Sequence, residues 1–147
     1  MKPSQHAAAG LAGGAAALLL TGSAEAALAF ALSTVLMDLD HVVDYLLFGA
    51  PPRTLRRFLA PGDAGVWGRV VFVLHSYELL LVLALFWMEF DPPQWGGAVL
   101  AGMAAHLLMD EWGNRRKGFH LRLPVLYYSF LYRLSRGFRG EALLIAK

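Results

Sequence analysis

The chain has 147 residues, of which 57% are hydrophobic and only 16% charged, with a net charge of +2 and no cysteine; its mean hydropathy is +0.49. That length fits one domain, and a soluble globule carries about 25% charge, so the bilayer is the leading environment and the absent thiols exclude disulfides, cysteine metal ligands and a cysteine nucleophile. The basic residues flank apolar runs rather than interleave with them, so no nucleic-acid partner is expected and the lipid bilayer is the expected partner.

Four apolar stretches follow one another. The first covers residues 5–21 and is rich in Ala and Gly, a composition that favours close helix packing. With Lys2 before it and small residues after it, it imitates a signal peptide; its mostly Ala and Gly composition and His6 at its mouth favour a retained first span. "TGSAE" makes a turn. The second stretch, 24–48, runs through "LMDLDHVVDY". A connector rich in Pro, Gly and Arg separates it from the third, 66–90. "DPPQ" then breaks the chain before the fourth, 95–112. Each is near the roughly 20 residues that cross a bilayer as a helix.

The expected fold is therefore all-α: an integral membrane bundle of four transmembrane helices in residues 1–112, with a basic, partly helical interfacial tail in residues 113–147. In the tail, "PVLYYSFLYRL" is too short to span and reads as a helix lying in the membrane interface; a partial fifth span is the alternative. With the N-terminus inside, all 13 Lys and Arg fall inside or at the inner ends of spans, and only Glu25, Glu89 and Asp91 are charged outside. The positive-inside rule thus predicts a multi-pass membrane protein with both termini cytoplasmic.

Polar residues within these spans share a depth. At about 1.5 Å per residue, His6, Asp38, His41, His75, Glu78, His106 and Asp110 lie roughly 16–26 Å from the outer end of their spans. The spacings Asp38–His41, His75–Glu78 and His106–Asp110 are i,i+3 or i,i+4, which places each pair on one helical face. A single intramembrane histidine is commonly a hydrogen-bonded packing residue. Four imidazoles with several carboxylates at one depth read instead as a site for one or two divalent metal ions, because ionisable groups there cost a few kcal/mol each by insertion scales. The expected metal ligands are His6, Asp38, His41, His75, His106 and Asp110. Mixed N/O donors suit Zn first, with Mn or Fe as alternatives. Asp40 or Glu78 is expected to act as the catalytic base, and Arg115 and Arg116 to bind the substrate.

These residues resemble the YdjM-type family of inner-membrane metal-dependent hydrolases. The resemblance rests on His6, on Asp38, Asp40 and His41 in "MDLDH", on His75 and Ser76 in "LHSY", and on His106, Asp110 and Gly113 in "HLLMDEWG"; it covers about the first 113 residues. The family often carries a His-Arg pair where this chain has Val70 and Val71. The resemblance implies a membrane-embedded metal-dependent hydrolase, and the arginines at the inner face point to a phosphoester or other amphiphilic lipid substrate. Two further readings use the same side chains: a metal carrier or sensor without hydrolytic activity, and a haem-binding bundle with two axial histidines.

Overall fold

The computed structural model describes residues 3–49, 52–58, 68–90, 93–116 and 123–143. Among these the secondary structure is helical, with no strand; an isolated antiparallel bridge joins Arg69 to Arg139. The helices are α1 (Pro3–Thr21), α2 (Ala24–Leu36), α3 (Leu39–Phe48), α4 (Leu55–Phe58), α5 (Tyr77–Glu89), α6 (Gln94–Arg116), α7 (Pro124–Tyr127), α8 (Phe130–Ser135) and α9 (Gly140–Leu143).

The α1–α2 turn forms for local reasons. Gly22 adopts φ +69° and its N–H returns to the Leu18 carbonyl, which closes α1 in the left-handed conformation glycine adopts without strain. Ser23 then caps α2 by accepting from the Ala26 N–H at 3.1 Å. The two helices meet through small residues. A methyl on Gly14 would stand 2.8 Å from the Ala27 carbonyl oxygen, so only hydrogen permits that approach. Helix α2 in turn packs on α6, where Gly102 faces Phe30 and Ser33.

The second apolar stretch is not one regular helix. At Met37 and Asp38 the backbone tightens: the N–H groups of Asp38, Asp40 and His41 bond to carbonyls three residues back, at Val35, Met37 and Asp38. Such 3₁₀-like pairing shifts the side chains that follow. The third stretch differs more. Gly68–Ser76 is irregular, and its helix begins only at Tyr77, with Ser76 as N-cap accepting from the Leu79 N–H. His75 and Glu78 therefore do not share a helical face. Phe72 within this segment has φ +40°, a conformation costly for a non-glycine residue.

The tail is not confined to an interface either. Tyr127, Tyr128 and Leu143 join Met37, Val70, Phe72, Met103 and Leu107 in the buried apolar cluster. The Val70 N–H bonds to the Phe138 carbonyl, the Tyr77 N–H to the Tyr128 carbonyl and the Gly140 N–H to the Gly68 carbonyl, so the tail completes the irregular segment's hydrogen bonding.

Polarity is inverted relative to a water-soluble bundle. Leu19 is 87% and Met88 82% exposed, whereas His6 is 1% and His106 0% exposed. In α1 the buried residues are His6, Gly10 and Gly14; in α3 they are Asp40, Asp44 and Tyr45. One run among the described residues, Ala24–Phe48, is long and apolar enough to cross a membrane.

Candidate metal centre

Polar side chains from several elements, most of them buried, converge on one point. His6 comes from α1, Asp38 from the tightened turn between α2 and α3, His41 from α3, His75 from the irregular segment, and His106 with Asp110 from α6. The ligand atoms of His6, Asp38, His106 and Asp110 all lie within 4.8 Å of one another, as do those of Asp38, His41 and His75. This buried His/Asp group can hold a metal ion. All six ligands expected from the sequence are thus brought together from separate elements.

The hydrogen bonds around the cluster fix which atoms face inward. His106 Nδ1 lies 2.6 Å from the Thr34 carbonyl oxygen. A carbonyl only accepts, so Nδ1 carries the ring proton and Nε2 presents its lone pair. His106 Nε2 stands 2.9 Å from His75 Nε2. The His75 ring has Asp40 Oδ1 at 2.9 Å from its Nδ1, off the direction of an ideal bond. A carbonyl or carboxylate behind the outer ring nitrogen is the usual support of a metal-binding histidine. The His6 and His106 rings stack at 3.9 Å with planes 16° apart, and His6 Nε2 meets Asp110 Oδ1 at 3.0 Å.

Distances between donors match a cation's needs. His106 Nε2 is 3.6 Å from Asp38 Oδ1 and 3.7 Å from Asp110 Oδ2. His75 Nε2 is 3.8 Å and 3.7 Å from the same two oxygens. Neighbouring ligands around a tetrahedral ion with bonds of about 2.0–2.1 Å stand about 3.3–3.4 Å apart, so small shifts would close these donors on an ion. With His75 carrying its proton on Nε2, the ring contact is a hydrogen bond to His106; a cation between the rings would replace that proton and offset the two carboxylates.

The two expected catalytic bases have other roles. Asp40 Oδ2 accepts from the Leu74 and His75 N–H groups at 2.9 and 3.2 Å, and its Oδ1 meets His41 Nδ1 at 3.0 Å. With both oxygens engaged, Asp40 orients two ligand rings and anchors the segment that carries His75. Glu78 turns away to α8, where its carboxylate accepts from the Ser129 hydroxyl and from the Phe130 and Leu131 N–H groups. It pins the tail, because a residue at the start of α5 faces the bare N–H groups of α8. Arg115 and Arg116 end α6, and their side chains lie outside the described residues. Arg53 caps α3 by donating to the Gly49 carbonyl at 2.7 Å.

Three further residues outside the expected ligand set support the site. Asp44 Oδ2 accepts from the Val71 and Phe72 N–H groups; its i,i+4 spacing from Asp40 was the available signal. Thr34 contributes a backbone carbonyl and carries no signal. Arg133 is 0% exposed and donates to the carbonyls of Phe72, His75 and Tyr127. Burial pushes its guanidinium below the ordinary arginine pKa, while the nearby Tyr127, Asp40, Glu78 and Asp44 pull it back up. Asp44 and Arg133 together grip Phe72 from its N–H and carbonyl sides, which holds the strained backbone in place.

No family model, curated protein or solved structure matches the chain.

Proposed function

We propose that this chain is a membrane-embedded metal-dependent hydrolase that acts on a phosphoester or other amphiphilic lipid substrate from the cytoplasmic side. The observation that carries the reading is the gathering of four imidazoles with Asp38 and Asp110 at one point, His6, His75, His106 and Asp110 among them buried, behind an apolar exterior. That inverted polarity supports a four-span bundle in a bacterial-type inner membrane, with both termini cytoplasmic, since lipid solvates the exposed leucines at no cost. The resemblance to the YdjM-type family agrees with it.

When bound, a divalent cation, zinc first on the N/O donor set, supplies an activated water at neutral pH and polarises the scissile bond. The protein's own residues do the rest. His106 is held in its ligating tautomer by the Thr34 carbonyl. Asp40 holds His41 and His75 in orientation. The side chains of Asp38 and His41 are 31% and 27% exposed, so these are the ligands that a substrate reaches first. Arg115 and Arg116, at the end of α6, are assigned to the phosphate or headgroup.

The test is a screen of the detergent-purified full chain against phosphomonoesters, phosphodiesters and lipid phosphates, with Zn(II), Mn(II) or EDTA. Hydrolysis that needs the metal and is lost in Asp38→Ala supports the reading. Metal flux into vesicles with no hydrolysis overturns it in favour of a carrier, and a Soret band in the purified protein overturns it in favour of haem.

A further inference from the structure

The six donor residues are more than a four-coordinate zinc ion needs, and they form two overlapping sets, with His75 Nε2 also 3.7 Å from Asp110 Oδ2. His6, Asp38, His106 and Asp110 form one set of mutually close ligand atoms, and Asp38, His41 and His75 form another. Asp38 belongs to both. The first set has four protein ligands, and three of them are sealed: His6 at 1%, His106 at 0% and Asp110 at 4% exposure. The second has three protein ligands, two of them partly open. Four protein ligands in a closed shell is the pattern of a structural ion, and three with one position free is that of a catalytic ion. A carboxylate has two oxygens and can serve two ions at once, as in carboxylate-bridged pairs held by helical bundles.

We propose that the centre binds two divalent transition-metal cations bridged by Asp38: an inner ion held by His6, His106 and Asp110, and an outer, exchangeable ion held by His41 and His75. This rests on the metal-dependent reading above and divides its site into two parts. The inner ion ties α1 to α6 and therefore acts on stability. The outer ion lies next to the irregular segment held by Asp40, Asp44 and Arg133, so its position depends on how the tail is docked.

Equilibrating the detergent-purified full chain with Zn(II), desalting it and counting zinc per chain tests the division. Two zinc ions are expected in the wild type. One is expected in His41→Ala, with thermal stability close to the loaded wild type, and one in His6→Ala, with clearly lowered stability. Loading the wild type with Mn(II) is expected to give the electron paramagnetic resonance spectrum of an exchange-coupled pair. This measurement keeps the test decisive if a variant fails to fold. One zinc per chain, or a spectrum of isolated manganese, overturns the pair and leaves the hydrolase reading standing. No bound metal at all overturns both.

Discussion

Arg133 of α8 donates from its guanidinium to the carbonyl oxygen of His75 at 3.0 Å, across 58 positions of sequence. The same side chain reaches the Phe72 and Tyr127 carbonyls, so a single buried cation holds a metal-ligand candidate in place from the far end of the chain. Hydrogen bonds to a charged donor contribute about 1.5–3 kcal/mol each, and each carbonyl left bare in the interior costs about 1–3 kcal/mol. Arg133→Ala is expected to destabilise the protein by about 3 kcal/mol or more and to lower metal occupancy at His75. Arg133→Lys keeps the charge but loses the planar fork, so an intermediate loss is expected. Thermal unfolding in detergent and metal content measure both; a wild-type melting temperature in Arg133→Ala would show that the tail does not support the site.

The contact of α2 with α6 sets the position of His106 relative to the Thr34 carbonyl. A methyl on Gly102 would fall 2.1 Å from Ser33 Oγ and 2.6 Å from the Phe30 carbonyl oxygen, whereas one on Gly97 in the same helix meets nothing within 4 Å. Gly102→Ala must push the helices apart, at about 1–3 kcal/mol for overpacking, and pull His106 from its carbonyl. Gly97→Ala is expected to be neutral or stabilising by up to about 1 kcal/mol, from helix propensity. Reduced metal binding is expected only in Gly102→Ala; equal behaviour of the two variants in melting and metal content would refute the close approach.

Periodicity decides which of these residues the sequence reveals. His6, Asp38, His41, His106 and Asp110 were legible because they sit in or beside regular helices, where rise and spacing translate directly into depth and face. Residues 68–76 read as helix because Val, Phe and Leu carry no sign of the competing hydrogen bonds. The N–H groups of Val71 and Phe72 go to Asp44 and those of Leu74 and His75 to Asp40, His75 sharing its N–H with the Phe72 carbonyl, and that competition is visible only once α3 is packed beside them. His75 reached the site all the same, while Glu78, beyond the Ser76 cap, turned towards the tail. Arg133 was hidden for another reason: an arginine among tail aromatics is already explained by lipid headgroups, and nothing local marks it as buried.

Glu78 separates a supporting role from a catalytic one. Its carboxylate accepts the Phe130 N–H at 2.8 Å and the Leu131 N–H at 3.2 Å, together with the Ser129 hydroxyl. Glu78→Gln keeps one acceptor oxygen and loses the charge, so a stability loss of about 1–2 kcal/mol is expected from the weakened bonds. Metal content and the rate constant kcat are expected to stay within a few-fold of wild type. A collapse of kcat at unchanged stability and unchanged metal content would return Glu78 to the reaction.

Removing the metal should loosen the bundle. A cation that binds only the folded chain stabilises it by about 2.7 kcal/mol at a hundredfold excess over its Kd. It also offsets the carboxylates of Asp38 and Asp110, which stand within 4 Å of the same two imidazole nitrogens, His75 Nε2 and His106 Nε2. EDTA is therefore expected to lower the wild-type melting temperature, and added Zn(II) to restore it. Asp110→Asn removes one buried negative charge and one ligand together. It is expected to bind less metal yet melt at nearly the same temperature with or without EDTA, because the amide leaves less repulsion for the ion to relieve. A wild-type protein whose unfolding is indifferent to EDTA would mean that the cluster is held together by its internal hydrogen bonds alone, with His6 and Asp110 as a packing pair.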